Sequence, residues 1–164
     1  MLKNNFVNSS NKKIKLLSLD VDGVLTDGGV YITENGDIFK KFNVKDGMGI
    51  RIAMEKGVQV AFISSAKKRK LLELRAKMLG VQLVYAGDEE KLNVMKKWCE
   101  KLKIDLSEVA HIADDINDLK LLSAVGISAC PLDAVEKVKS SVKIILKTKG
   151  GEGCVREFVE NYLF

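Results

Sequence analysis

The chain has 164 residues, of which 46% are hydrophobic and 30% charged, and it carries a net charge of +5. That length supports one domain with a core of its own, and no apolar run approaches the ~20 residues of a membrane span. Three scattered cysteines, Cys99, Cys130 and Cys154, offer neither a zinc set nor a disulfide framework, and the single histidine, His111, excludes chemistry that needs a histidine pair.

Residues 1–13 are polar, rich in Asn, Ser and Lys, and lack the apolar centre of a signal peptide. They read as a partly disordered lead-in to a single domain over residues 14–164. Residues 16–19 then form an apolar run that reads as a buried parallel strand. It ends in Asp20-Val21-Asp22-Gly23-Val24-Leu25-Thr26. Side chains alternate along a strand, so Asp20 and Asp22 share a face only where the strand runs out into its loop. Two carboxylates there repel unless a cation or a shared proton relieves them. In open parallel sheets, ligands bind at that carboxyl end. The stretch is therefore a candidate metal and catalytic site.

Two short alternating runs around Asn35-Gly36 predict a β-hairpin. A helix is expected over residues 48–56, with Asp46 as a possible cap and Gly57 as its stop. Residues 58–63 read as a second strand ending at Ser64-Ser65. A lysine-rich helix follows over 68–79, then a strand over 81–85, then a helix over 89–102 with Trp98 on its apolar side. The fourth strand lies within 106–112 and ends in Ala113-Asp114-Asp115. A short helix over 117–123, a strand over 126–130 halted by Pro131, a helical turn over 134–140 and a strand over 142–146 complete the alternation. Residues 147–153 are a glycine-rich loop, and 155–163 a terminal helix; residues 147–164 together make a tail. Strands alternating with helices give an α/β class with a Rossmann-like parallel sheet. Right-handed crossovers collect Asp20, Asp22, Ser64, the region of Lys91, Asp114 and Asp115 on one edge.

The DxDGxxT pattern of Asp20 to Thr26 resembles the signature of haloacid dehalogenase-like phosphatases. Ser64, Lys91 and Ala113-Asp114-Asp115-Ile116-Asn117-Asp118 resemble the family's remaining three motifs, in the family's order. The resemblance implies a Mg²⁺-dependent phosphatase. It implies Asp20 as nucleophile and metal ligand, and Asp22 as general acid/base that also offers its backbone carbonyl to the metal. Asp114 becomes the third metal ligand, Ser64 a hydrogen-bond donor to the phosphoryl group, and Lys91 a charge that offsets nucleophile and phosphate. Asp115 and Asp118 are expected to support the loop. His111 and Trp98 are expected to be packed residues.

Only about 40 residues separate the first two motifs, too few for the lid domain many relatives carry, so the resemblance is to the capless branch, with a projecting hairpin. Phe42 to Gly47, Gly49-Ile50 and Gly150 to Glu157 extend it to the phosphatases of 3-deoxy-D-manno-octulosonate 8-phosphate. It implies a small anionic sugar-acid phosphate as substrate, in lipopolysaccharide or other surface-sugar synthesis. Asp22, Asn43, Val44, Lys45, Asp46, Gly47, Arg51, Lys67, Arg75, Lys91 and Arg156 are then the expected substrate contacts. It further implies a cytoplasmic homotetramer whose sites are completed by neighbouring subunits, with no nucleic-acid or membrane partner.

Two positions depart from the family pattern. Ser64-Ser65-Ala66-Lys67 lacks the usual arginine, and lysine has no bidentate fork for a carboxylate. That leaves a nine-carbon, sialic-acid-type 9-phosphate open as the alternative substrate. Ala113 stands where glycine is usual. From another class, a non-catalytic oligomerisation module remains open, as does a basic nucleic-acid binder, although the chain offers no aromatic stacking platform.

Overall fold

The computed structural model describes residues 13–66 and 69–164. The expected lead-in, apart from Lys13, and Lys67 lie outside the described residues. Six parallel strands form the sheet: β1 (Leu16–Leu19), β4 (Gln59–Ser64), β5 (Leu83–Ala86), β6 (Val109–Ile112), β7 (Ile127–Cys130) and β8 (Ile144–Ile145). Their order is β5-β4-β1-β6-β7-β8. From β1 the chain steps outward to β4 and β5, then returns to β6 on the other side. The switch point therefore falls between β1 and β6, the place where open α/β sheets form their ligand crevice.

The central strands are buried on both faces, which is why they read as continuous apolar runs rather than alternating ones. Leu17, Leu19, Val60 and Phe62 turn to one face. There they meet α1 (Val44–Glu55), α2 (Lys70–Leu79) and α6 (Cys154–Asn161) through Ile50, Ala53, Leu72, Ala76, Val155 and Phe158. Leu16, Ala61 and Val109 turn to the other. That face carries α3 (Lys91–Leu102) and α4 (Leu119–Ala124), which supply Met95, Cys99 and Leu121. A short α5 (Glu136–Lys139) covers the β7 side through Val138. The hairpin pairs β2 (Tyr31–Ile32) with β3 (Ile38–Phe39) in antiparallel register and stands apart from the main sheet. Gly36 turns it with φ +81°, a conformation that suits glycine.

The expected order of elements is the observed order. The largest boundary error is at α1, which begins at Val44 and not at 48. The glycines at 47 and 49 read as loop. In the fold they let the helix press against its neighbours. A Cβ on Gly49 would lie 2.9 Å from Arg156 Cα, and one on Gly47 would lie 2.8 Å from Arg75 Nη2. Asn43 caps α1, its Oδ1 accepting from Lys45 N at 2.8 Å, so Asp46 is not the cap of its own helix.

Candidate active site

The carboxyl ends of β1, β4 and β6 surround a cleft of about 270 Å³, lined by Asp20, Asp22, Ser64, Ser65, Asp114 and Asn117 among others. A larger hollow of about 390 Å³ sits among Gly57, Gln59, Gly80 and Gln82 near the opposite edge. It is lined by no acid, lysine or histidine, so the smaller cleft is the candidate site.

After Leu19 the backbone leaves the sheet, with Asp20 N donating to Ile112 O at 3.0 Å across the switch point. The next five residues form a tight turn in which Gly23 has φ +84°. A Cβ there would lie 2.0 Å from Asp114 Oδ2. Glycine is thus required for backbone conformation and for the approach of the β6 aspartate. Thr26, fully buried, accepts from Gly28 N at 3.3 Å and closes the loop. The tail's glycine loop packs on the same backbone: a Cβ on Gly150 would lie 1.9 Å from Gly23 O.

The charges in the cleft are unequally placed. Lys91 opens α3 and is 3% exposed. Its ammonium donates to Asp20 Oδ1 at 2.7 Å and to Asp118 Oδ2 at 2.6 Å. Burial alone would lower its pKa, but the two carboxylates raise it, so it stays charged. Asp20 is pushed above the usual carboxylate range by burial, against the pull of Lys91. Asp114 is pushed up to about 7 by burial and then by the adjacent charge of Asp20, with which it is in hydrogen-bonding reach. Asp114 Oδ1 is buried without a partner.

A buried carboxyl beside a half-buried one, both raised and one with an orphan oxygen, fits a hard divalent cation. Such an ion would take the free oxygen lone pairs and favour both ionised forms. Among the described residues no three His, Cys, Asp or Glu side chains cluster for a metal. Two carboxylates plus water suit Mg²⁺, which binds few protein ligands.

Asp22 sits nearer the surface, with its carboxylate paired to Lys40 beside the hairpin. Ser64 is buried, and its Oγ accepts from Ala66 N at 3.0 Å at the cleft wall. Asn117 reaches Ser65 Oγ at 3.3 Å across the opening. Asp115 faces solvent and caps its own turn through Ile116 N. Ala113 is fully buried, and its methyl packs with Leu122 and Cys130, so the departure from glycine is absorbed by the core.

The structure does not bring the expected substrate side chains of α1 and the tail into this cleft, because they are held elsewhere. Asp46 is buried and accepts from Arg156 N at 3.0 Å, at the start of α6. Arg75 donates to Asn43 O at 3.2 Å and lies over the Phe42 ring. Asn43 Nδ2 is spent on Gly151 O at 3.1 Å. Arg51 donates to Met78 O at 3.3 Å, and Arg156 pairs with Glu160. Val44 and Lys45 face outward, and Gly47 is covered by Arg75. His111 is packed as expected, fully buried, and its ring bonds Asp118 at 2.9 Å.

Known proteins resemble this chain in sequence and in fold. Residues 81–158 match the model of the haloacid dehalogenase-like hydrolase family. The chain is 40% identical over 146 residues to the 3-deoxy-D-manno-octulosonate 8-phosphate phosphatase of Escherichia coli K12, covering 89% of this chain and 77% of that protein. The crystal structure of the Yersinia pestis phosphatase of the same name superposes with a TM-score of 0.86 at 37% identity, covering 90% of this chain and 79% of that one. The Moraxella catarrhalis phosphatase, solved with magnesium, phosphate and KDO, gives a TM-score of 0.86 at 34% identity, with 90% and 84% covered.

Proposed function

The chain belongs to the haloacid dehalogenase-like hydrolases, and from that premise we propose that it is a magnesium-dependent phosphatase of 3-deoxy-D-manno-octulosonate 8-phosphate. The observation that carries this is Lys91 seated on Asp20 at 2.7 Å, with Asp114 against the same carboxylate.

Asp20 attacks phosphorus, the bond to the sugar's terminal oxygen breaks, and Asp22 gives that oxygen its proton. Asp22 then takes a proton from water as the water attacks the aspartyl phosphate. Phosphate leaves and the Asp20 carboxylate returns. Lys91 offsets negative charge on nucleophile and phosphoryl group, and Ser64 donates to a phosphoryl oxygen. Mg²⁺, held by Asp20, Asp114 and the Asp22 carbonyl, supplies charge neutralisation between two anions. Asp22 must release Lys40 to serve the leaving oxygen, and the pair's partial exposure allows it.

The assembly follows from the hairpin. Val30, Ile32 and Phe39 are exposed on a two-stranded ribbon that pairs only with itself. An uncovered apolar ribbon favours association, and a homotetramer would cover it. A neighbouring subunit would then bring the outward Val44 and Lys45, with the rest of the Asn43–Gly47 segment, towards a second cleft. Among the described residues no helix is long and apolar enough to cross a membrane. We place the enzyme in the cytoplasm, where its three buried free thiols remain reduced.

Phosphate release from the eight-carbon 8-phosphate and from a nine-carbon 9-phosphate, with and without Mg²⁺, tests the function. Magnesium-dependent release from the first at the higher kcat/KM is expected. Preference for the second would reassign the sugar, and release from neither would leave an oligomerisation module.

A further inference from the structure

Leu16, Ser18 and Asp20 occupy alternate positions on β1 and its end, facing α3 and α4. Ser18 and His111 are register partners on neighbouring strands. His111 therefore emerges on the face where α3 begins with Lys91 and α4 begins after Asp118. A carboxylate is an acceptor only, so Nε2–H of His111 donates to Asp118 Oδ1, at 2.9 Å. Nδ1 lies 3.1 Å from Ser18 Oγ. Asp118 Oδ2 in turn accepts from Lys91 at 2.6 Å, and Lys91 donates to Asp20 at 2.7 Å. Ser18, His111 and Asp118 are each at most 2% exposed in side chain or residue, so water cannot substitute for a missing link.

We infer that His111 is a positioning residue: it locks the Asp118 carboxylate in one rotation and so fixes the Lys91 ammonium on the nucleophile. The inference rests on the phosphatase reading but concerns the nucleophile's surroundings, not the sugar. Both Asp118 oxygens are committed, one to His111 and one to Lys91. With two of its three hydrogens on Asp118 and Asp20, the ammonium has a single direction left for a phosphoryl oxygen. Without His111, Asp118 can turn about its own Cβ–Cγ bond, and Lys91 follows it. A phenyl ring would fill the same space without this control, so packing alone does not account for both ring nitrogens being engaged.

Two amide variants separate the links. His111→Asn keeps a polar group at the Nδ1 position, towards Ser18, and cannot reach Asp118. His111→Gln places an amide N–H near the Nε2 position. Both shed the ring, so their packing losses are alike. Two readouts are needed: kcat and KM on the sugar phosphate, and the affinity for beryllofluoride with Mg²⁺, which probes Asp20 and Lys91 whatever the sugar. For His111→Asn we expect kcat down by about 10–100-fold with KM within about threefold, and weaker beryllofluoride binding. For His111→Gln we expect most of both restored. If Asn does not fold, His111→Phe is read against Gln in its place. Equal kcat and equal beryllofluoride affinity in the two variants would overturn the inference. Wild-type protein that binds beryllofluoride yet leaves the sugar phosphate intact would sink the substrate assignment alone, and the beryllofluoride comparison would still decide the role of His111.

Discussion

Asp46, in the first turn of α1, accepts a hydrogen bond from the backbone of Arg156 at 3.0 Å, across 110 residues of sequence. The N-terminus of α6 begins at Gly153, φ +113°, with no side chain of its own to cap it. One helix thus supplies the cap of another. Asp46→Ala should cost about 1–2 kcal/mol, as loss of a good N-cap does. A shift of the urea midpoint at unchanged slope is the measurement. A midpoint equal to wild type would mean that α6 holds without it.

Lys91 stands between two buried carboxylates. Removing one partner of a buried ion pair leaves uncompensated charge and costs about 3–5 kcal/mol. Lys91→Met should therefore destabilise the fold strongly as well as stop turnover. Thermal melting read beside activity separates the two losses. Activity lost with an unchanged melting temperature would show that the carboxylates do not depend on Lys91 for stability.

Gly23→Ala drives a methyl to 2.0 Å from Asp114 Oδ2 and forces alanine to φ +84°. Strain of this kind costs about 1–3 kcal/mol, and the displaced Asp114 loses its place beside Asp20. Magnesium affinity, followed by calorimetry, should fall together with stability. Wild-type affinity would mean that the loop yields without moving Asp114.

Gly150→Ala meets backbone rather than a side chain, at 1.9 Å from Gly23 O. Nothing there can swing away, so the tail's loop must lift from the loop that follows Asp20. A loss of about 1–3 kcal/mol is expected, with a fall in kcat although the mutation lies well outside the motifs. Hydrogen exchange at residues 147–153 should quicken in the variant. Unchanged exchange and kcat would separate the tail from the loop that follows Asp20.

Much of this was legible in the sequence. The apolar runs give the six strands and the order of the helices, and acids after the first and fourth sheet strands mark the cleft. Two things were hidden. Among the side chains whose charge suggests a substrate, Arg51, Arg75 and Asp46 have partners that only tertiary contacts reveal, while Arg156 pairs with Glu160 one turn along its own helix. Gly47 and Gly49 lower helix propensity locally and so concealed the first turn of α1. Close packing of that helix against Arg75 and Arg156 outweighs the propensity. His111 is packed, as a histidine within a strand reads, but its bonds to Ser18 and Asp118 needed the pairing of β1 with β6 to be seen.

Replacing the proposed nucleophile is a necessary control: Asp20→Asn should keep the fold and lower turnover by about 10³-fold or more. Persistent phosphate release would remove Asp20 from that role.

The most direct test is a crystal structure of the wild-type protein with magnesium and beryllofluoride. It should show beryllium bonded to an Asp20 oxygen and one magnesium ion touching both Asp20 and Asp114. A magnesium ion bound away from Asp114, or beryllofluoride resting on any other residue, would contradict a carboxylate that attacks phosphorus with an ion held between β1 and β6.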